Sequence, residues 1–525
     1  MTCYFSSMHD TISSIRRSAS RFFSGTLLSR ISGMLRDMSM AYTFGVQPAV
    51  AAFMLAFRLA HLFRRLFGEG ALQSAFIPEF ETLRHQDRTT ALTFFRDLAY
   101  SLSLLLVSLI SLLCAGLGTV LYWGDLSPAN REVIQLTLLM LPSLLFICLY
   151  GLNTGLLQCE KHYFTPAAAP IAFNVIWIAA VFALRGLPTQ VAMPWLAAAI
   201  VAACFCQWFI TIPSTYALLK AHRIRLTCFQ FSPELSRLVT PLTLGILGVA
   251  ATQVNVAMDS LFARYADPSG PALLWYAIRL EQLPLALFGV ALAGALLPPL
   301  SRALKAQDWI SYFHFLRYAC ITTCTFMLPI TLAIVVMGDI SIQLIYGYGD
   351  FDHAAVVATT QCLWAYGLGL LPAALVLIMA PACYAHSNYR SPAQASLLTM
   401  LLNALLNAWF ILACGWGAIS VALATSLSAW VNLFYLGRVL SGYNQKDAIM
   451  DKTMWQELAW STLGSAAAFL ATYAFRVYLQ EIPLLAPSSG STLDLLITLG
   501  LQATLFTTVY AGVRWSGALG VSEKC

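Results

Sequence analysis

The sequence is poor in charged residues. Lysine, arginine, aspartate and glutamate make up 10% of its 525 residues, and 59% of the residues are hydrophobic. A typical soluble protein carries about 25% charged residues. This balance excludes a soluble multidomain enzyme and indicates a polytopic membrane protein. The net charge of +6 lies in short loops, so it does not indicate nucleic-acid binding.

Motifs for soluble chemistry are also missing. The sequence contains no Walker motif, which excludes an ATP-driven pump within this chain, and no nucleophile or metal-ligand constellation. None of the 13 cysteines belongs to a CxxC pair, so we expect no disulfide framework. We therefore expect no enzymatic activity and no cofactor, apart from a sodium ion that is considered below.

Apolar stretches of about 20 residues, long enough to cross a bilayer, recur along the whole chain. They predict an all-α polytopic membrane protein with about fourteen transmembrane helices. The predicted spans are 22–45, 50–78, 92–122, 133–158, 165–185, 191–219, 236–262, 270–298, 311–337, 354–385, 391–413, 416–440, 454–479 and 493–515.

Lysines indicate the orientation of these spans. Every lysine follows an even-numbered span, and most loop arginines lie on the same side. Because cytoplasmic loops carry the excess of positive charge, both termini are predicted to be cytoplasmic. Residues 1–21 are polar and basic and lack a small-residue cleavage site, so we interpret them as a cytoplasmic tail and not as a signal peptide.

An internal repeat relates two parts of the chain at an offset of 221 residues. Segment 57–78 aligns with 278–299, and Arg58 stands opposite Arg279. Chance identity between Leu-rich helices is an alternative, but the paired Arg, Gly and Pro residues favour duplication. Two six-helix lobes with a C-terminal appendage follow, a common transporter plan. The predicted parts are a tail at 1–21, an N-lobe at 22–230, a C-lobe at 231–445, and two helices with a tail at 446–525.

The first two spans carry more charge than membrane helices usually tolerate. A charge at the bilayer centre costs about 3 kcal/mol, so stability does not account for these side chains. We interpret them as the lining of a polar cavity for an anionic cargo. The alternatives are snorkelling to the cytoplasmic edge and ion pairing inside the protein, although the cations outnumber the carboxylates. The residues are Arg30, Arg36, Asp37, Arg58, Arg64, Arg65 and Glu69.

Helical spacing gives this cavity a geometry. Arg58, Leu62, Arg65 and Glu69 fall on one face of a continuous helix, and Arg279 adds a cation from the other lobe. Arginine stays charged in a low dielectric, and its forked donors match phosphate and carboxylate. The pattern therefore predicts a cavity for a large anionic head group such as a diphosphate.

A second polar group lies on spans seven, eleven and twelve. Asn403 and Asn407 are four residues apart on one face of an apolar helix, and Asp259 and Thr425 lie on the neighbouring spans. Their oxygens could bind a hard cation such as Na⁺. The alternative is that the amides and the hydroxyl form ordinary hydrogen bonds between membrane helices.

Several motifs together carry a family resemblance. They are SRISGMLRD (29–37), AFRL (56–59), LFRRLFGEGA (62–71), AFIP (75–78), WYAIRL (275–280), GVAL (289–292) and APACY (380–384). With these motifs the chain resembles the MurJ (MviN) family of lipid II flippases, within the multidrug/oligosaccharidyl-lipid/polysaccharide exporter superfamily. The first two helices are the most specific part of the resemblance.

The resemblance implies a fold and a function. Fourteen helices would form two lobes in a V around a central cationic cavity, with the last two helices appended. The protein would move lipid II, the undecaprenyl-diphosphate-linked peptidoglycan precursor, from the cytoplasmic to the outer leaflet of the bacterial inner membrane by alternating access. We expect a monomer that contacts membrane lipids and no nucleic acid, and partners among cell-wall synthesis enzymes remain open.

The resemblance also assigns roles to residues. The essential cavity arginines of the family correspond to Arg30, Arg36, Arg64 and Arg279, and its gating carboxylates to Asp37 and Glu69. Arg58 and Arg65 would form supporting pairs. A sodium site of some members corresponds to Asp259, Asn403, Asn407 and Thr425, with the backbone of Val421 as a further ligand.

The chain departs from the family pattern at a few positions. Asn407 stands where an aspartate is usual, which lowers the negative charge of the sodium site and leaves the membrane potential as an alternative driving force. Ala51, Ala60-His61 and Ile278 replace Asp, Pro-Asn and Asp of the family. Other hypotheses are an exporter of a different polyprenyl-diphosphate glycan, a cation-coupled small-molecule antiporter, and a membrane scaffold that transports nothing.

Overall fold

The computed structural model describes residues 12–68, 70–224, 233–443, 452–481 and 492–522, and all regular structure within them is helical. These residues form two compact units. The first contains the described residues up to Thr43 together with those of Ala52–Ala257. The second contains Phe44–Ala51 and the described residues from Met258 onward. The lobe limits near residues 230 and 445 stay a prediction.

The first unit is built from the helices of the N-terminal half. Its elements are α1 (Ile12–Phe44) up to Thr43, α2 (Pro48–Ala60) from Ala52 onward, α3 (Arg64–Phe67), α4 (Ala71–Gln86), α5 (Arg88–Trp123), α6 (Pro128–Met140), α7 (Ser143–Cys159), α8 (Phe164–Ala183), α9 (Thr189–Phe209), α10 (Ile212–Ala221) and most of α11 (Pro233–Ala266).

The second unit contains the remaining helices. They are α12 (Gly270–Pro284), a π-helical turn (Leu285–Val290), α13 (Ala291–Lys305), α14 (Trp309–Tyr346), α15 (His353–Ala385), α16 (Arg390–Leu412), α17 (Ile419–Ser441), α18 (Lys452–Glu481) and α19 (Thr492–Ser522).

The helices confirm a multi-pass membrane protein. Among the described residues, nine helical segments are long and apolar enough to cross a membrane, and the bent pair α6–α7 makes up to ten. The remaining predicted spans correspond to α1, to α2–α4, to α11 and to α12–α13. The total of fourteen spans therefore stays a prediction.

The second predicted span is interrupted, and the prediction of one helix over 50–78 was wrong. The chain leaves the helix after α2 and again between α3 and α4. At the second interruption Gly70 has a φ of +90°, which glycine adopts without steric cost. Gly68 meanwhile packs directly on α7, because a Cβ added to Gly151 would lie 2.0 Å from the Gly68 carbonyl oxygen.

These interruptions remove the helical register that we expected. A single α-helix would have placed Arg58, Leu62 and Arg65 in one row. Instead the backbone passes through tight turns, in which Leu62 N–H donates to the Leu59 carbonyl and Arg64 N–H to the His61 carbonyl. The three side chains therefore do not form a continuous stripe. Glu69, the fourth member of the expected row, lies outside the described residues.

The helix boundaries support the internal repeat. At the offset of 221 residues, α5 and α14 begin at equivalent positions. Asp87 and Asp308 cap these helices with their side chains, and both carboxylates accept backbone N–H bonds. Upstream, α2–α4 correspond to α12, the π-helical turn and α13. Each copy thus leaves regular α-helical geometry in the same region.

The last two helices pack on α14. Val336 and Met337 of α14 form an apolar cluster with Ala468 of α18 and Phe506 of α19. The Tyr510 hydroxyl adds a 2.6 Å hydrogen bond to the Thr325 carbonyl oxygen. Since lipid tails are as apolar as leucine, such contacts hold membrane helices together through close packing and hydrogen bonding.

Candidate substrate and ion sites

Arg36 lies buried in the first unit beside its sequence neighbour Asp37. The Arg36 Nε and one terminal nitrogen lie 3.0 and 2.8 Å from Asp37 Oδ1. Its guanidinium carbon lies 4.7 Å from the ring centroid of Trp177 on α8, a distance suited to a cation–π contact. Arg36 is only 9% exposed. The pair therefore neutralises part of the charge that made this span anomalous.

Asn174 of α8 connects this pair to the preceding turn of α1. Its Oδ1 accepts a 3.1 Å hydrogen bond from Arg36, and its Nδ2 donates to the Ser32 hydroxyl at 2.9 Å. Asn174 is buried, whereas Arg30 is exposed on the same helix as Arg36. Arg30 and Arg36 thus lie in different environments, as their six-residue separation predicts.

The arginines of the interrupted second span differ in exposure. Arg58 and Arg64 are half-buried and Arg65 is exposed. Between them His61 is buried, with Nδ1 2.9 Å from the Phe57 carbonyl oxygen and Nε2 3.2 Å from the Ser143 hydroxyl. The interruption therefore carries a histidine that links α2 to α7, at the position where the chain departs from the family motif.

Arg279 lies on α12 in the second unit. Its guanidinium carbon is 4.5 Å from the ring centroid of Trp275, one helical turn earlier. The side chain is half-buried. Arg279 and Arg36 thus share a pattern, since each guanidinium lies over a tryptophan of its own unit. A stacked guanidinium keeps in-plane donors for an anion while its face is covered.

The residues predicted for a cation site come together around Asp259 of α11. The amide nitrogens of Asn403 and Asn407 on α16 lie 2.6 and 3.1 Å from Asp259 Oδ1. The Thr425 hydroxyl of α17 lies 3.3 Å from Asp259 Oδ2 and 3.0 Å from the Val421 carbonyl oxygen. All five residues thus form one polar cluster between three helices, and Asp259 is only 7% exposed.

The sequence interpretation overlooked a buried pair on α5. Arg96 Nε lies 2.9 Å from Asp97 Oδ1, and the two residues are 7% and 0% exposed. The signal was present, because the Arg-Asp dipeptide of positions 36 and 37 recurs here inside an apolar span. Asn174 and Trp177 were also missed, since no local pattern reveals that α8 packs against Arg36.

Comparison with known proteins assigns the chain to a family. The model described as lipid II flippase MurJ matches residues 40–484. This chain is a member of the MurJ lipid II flippase family. It is 33% identical to the probable lipid II flippase MurJ of Chlamydia trachomatis, over 81% of this chain and 78% of that protein. It is 28% identical to the lipid II flippase MurJ of Burkholderia cenocepacia, over 78% and 81% of the two chains.

Solved structures share the fold of this MurJ family member. A structure of lipid II flippase MurJ in an inward closed conformation matches with a TM-score of 0.73 at 22% identity, over 95% of this chain and 99% of that one. An inward-facing multidrug resistance MATE family transporter of the MOP superfamily matches with a TM-score of 0.62, over 82% of this chain and 100% of the other. These matches confirm the predicted fold class.

Proposed function

We propose that this MurJ family member translocates lipid II from the cytoplasmic to the outer leaflet of the bacterial inner membrane. The observation that carries the proposal is the family match over residues 40–484, together with a relative that is 33% identical over 78% of its own length. The proposal includes alternating access, cytoplasmic termini and a role in cell-wall biogenesis. Translocation forms and breaks no covalent bond, so it requires no catalytic residue.

The arginines support an anionic cargo. Arg36 and Arg279 each lie over a tryptophan, and Arg36 is held in place by Asp37 and Asn174. Held in this way, a guanidinium loses little conformational entropy when it binds a diphosphate. We assign cargo contact to Arg36, Arg279, Arg30 and Arg64, and a supporting role to the remaining arginines of the second span.

Complementation in a flippase-depleted bacterium tests the function. The chain should restore growth and the exposure of lipid II in the outer leaflet. The Arg279→Ala variant, present in the membrane in the same amount, should restore neither. Growth restored without any change in outer-leaflet lipid II would refute the assignment of the cargo. Equal rescue by the wild type and the arginine variant would instead indicate a scaffold.

The cluster around Asp259 fits a sodium ion. It offers a carboxylate, two amides, a hydroxyl and a backbone carbonyl, the hard oxygen ligands that such cations prefer. Asn407 is fully buried, and its Oδ1 has no hydrogen-bond partner within the described part of the chain. A bound cation would satisfy this oxygen. We propose that Asp259, Asn403, Asn407, Thr425 and the Val421 carbonyl hold sodium here.

Sodium would supply positive charge that ties α11 to α16 and α17, and its binding should therefore stabilise the fold. Sodium at about a hundredfold its Kd should add about 2.7 kcal/mol to the free energy of unfolding, and potassium should not. Asp259→Asn should abolish this difference in melting temperature, and Asn407→Asp should increase it. The control Asn153→Ala, a buried amide in the first unit, should keep it. An equal response to sodium and potassium would argue against the site.

A further inference from the structure

A cavity of about 530 Å³ lies within the second unit, between the ends of α14, α15, α18 and α19. Its walls combine apolar side chains, such as Leu479 and Leu495, with several polar ones. By the predicted orientation, these helix ends belong to the extracytoplasmic half of the membrane. None of the residues assigned to cargo or to sodium lines this cavity.

Two buried polar side chains in the cavity wall have no hydrogen-bond partner within the described part of the chain. Gln502 of α19 is 0% exposed, and both of its amide atoms have no hydrogen-bond partner among the residues that the structure describes. Thr360 of α15 is 2% exposed, and its hydroxyl is in the same situation. Because buried polar groups in proteins are nearly always hydrogen-bonded, these two side chains indicate a polar partner that is not among the described residues.

An ion pair borders the same cavity. Arg476 of α18 donates to both carboxylate oxygens of Asp339 on α14, once at 2.9 Å, and also to the Val336 carbonyl oxygen. The side chains of Arg476 and Asp339 are 27% and 30% exposed. The cavity thus presents a positive and a negative charge side by side, with no net charge between them.

We propose that this cavity binds the head group of a zwitterionic phospholipid of the phosphatidylethanolamine type. The phosphate would accept from Arg476, and the ammonium group would donate to Asp339. Gln502 and Thr360 would hydrogen-bond the phosphate and ester oxygens, and the apolar wall would contact the first part of the acyl chains. An anionic lipid such as phosphatidylglycerol fits less well, because its head group has no ammonium to pair with Asp339.

Lipid retention by the purified full chain tests the proposal, independently of transport. The protein would be delipidated, mixed with equal amounts of phosphatidylethanolamine, phosphatidylglycerol and a neutral glycosyl diacylglycerol, and examined by native mass spectrometry. We expect preferential retention of one phosphatidylethanolamine. Thr360→Val and Gln502→Leu should each reduce it by about tenfold, the effect of losing a hydrogen bond to a charged group.

Thr359→Val is the matched control. Thr359 adjoins Thr360 on α15 and is equally buried, and its hydroxyl also lacks a partner in the described chain, but it does not line the cavity. This variant should retain lipid as the wild type does, and the melting temperatures would show that all variants are folded. Equal retention of the three lipids, a preference for phosphatidylglycerol or the glycolipid, or equal loss in both threonine variants would overturn the proposal.

Discussion

The two copies of the interrupted helix share a backbone plan but differ in charge. In the first copy α2, α3 and α4 are separated by turns, and in the second a π-helical turn joins α12 to α13. Arg58 and Arg279 occupy equivalent positions in the sequence repeat. Arg64 and Arg65 of the first copy, however, correspond to the uncharged Leu285 and Ala286 of the second. The irregular backbone therefore belongs to the repeat, whereas the dense positive charge belongs to the first copy alone.

Different local contacts maintain the irregularity in each copy. In the first, His61 bonds the Phe57 carbonyl oxygen, and Gly68 lies against Gly151 backbone to backbone. In the second, Pro284 removes a backbone donor, and the three atoms nearest to a Cβ added at Gly289 belong to leucine and alanine side chains. The comparison teaches that the first interruption is packed rigidly, while the second is surrounded by side chains that can move.

The largest effect should come from removing an arginine that both copies have, such as Arg279, or one that only the first copy has, such as Arg64. Arg64→Ala and Arg279→Ala should each lower lipid II flipping by about tenfold to a hundredfold, since each loses a charge-assisted bond to the cargo. Lysine should rescue only partly, because it lacks the forked donors. Flipping rates in vesicles with matched protein amounts measure this. If Arg64→Ala lowered the flipping rate and Arg279→Ala did not, Arg279 of the second copy would not contact the cargo.

Stability should distinguish the two interruptions next. Gly151→Ala places a Cβ 2.0 Å from the Gly68 carbonyl oxygen, so it should cost about 3 kcal/mol or more. Gly289→Ala meets flexible leucine side chains at 3.3 Å and should cost about 1 kcal/mol. Melting temperatures in detergent would report both. Gly116→Ala on α5 is the control, because nothing lies within 4 Å of the added methyl group. Equal losses at Gly151 and Gly289 would remove the distinction.

A smaller effect is expected at Asn174, which positions Arg36. Asn174→Ala removes the 3.1 Å bond to the guanidinium and should reduce flipping by about fivefold, the effect of one lost hydrogen bond. The loss should not add to that of Arg36→Ala, because both act through the same guanidinium. Asn153→Ala, in the same unit but bonded to Thr211, should leave flipping unchanged. Additive losses would show that Asn174 acts by another route.

The smallest effect concerns the equivalent helix caps Asp87 and Asp308. Hydrogen bonds from Thr90 hold the pKa of Asp87 below its usual range, and hydrogen bonds from Ser311 do the same for Asp308. A lowered folded-state pKa means that the stabilisation is present above the unfolded pKa and is lost as the pH falls through the folded one. At pH values below about 4 the melting temperature should therefore decrease slightly. The decrease should be smaller in the Asp87→Asn Asp308→Asn double variant. An identical acid response would contradict this.

Patterns in the sequence predicted two features of this architecture. The four-residue spacing of Asn403 and Asn407 predicted a shared face, and the structure brings both amides to Asp259. The offset of 221 residues predicted a duplication, and α5 and α14 begin in register. The first feature depends on helical periodicity and the second on residues that recur at a fixed offset, and both can be recognised in the sequence without tertiary information.

Features that depend on distant contacts could not be predicted. The interruption of 50–78 accompanies the close approach of Gly68 to Gly151. The sequence around position 68 does not indicate that Gly151 is the residue that it meets. The environment of Arg36 depends on Asn174, which lies 138 residues away in the sequence. Which helices pack together decides whether an arginine such as Arg36 is buried with a partner of its own chain. Counting the charged residues of one span therefore overestimates the number of charges that can bind a cargo.

The docking of α18 and α19 makes the duplicated halves unequal in what surrounds them. At the repeat offset, Thr325 and Ala333 of α14, which contact the appended helices, correspond to Leu104 and Leu112 of α5. Those two leucines are 68% and 70% exposed, a surface that only lipid can solvate. For α14 the appended helices thus take the place that the bilayer itself fills beside α5. On α14 the C-terminal pair thus serves as a permanent, covalently attached substitute for the exchangeable lipids that cover the equivalent surface of α5.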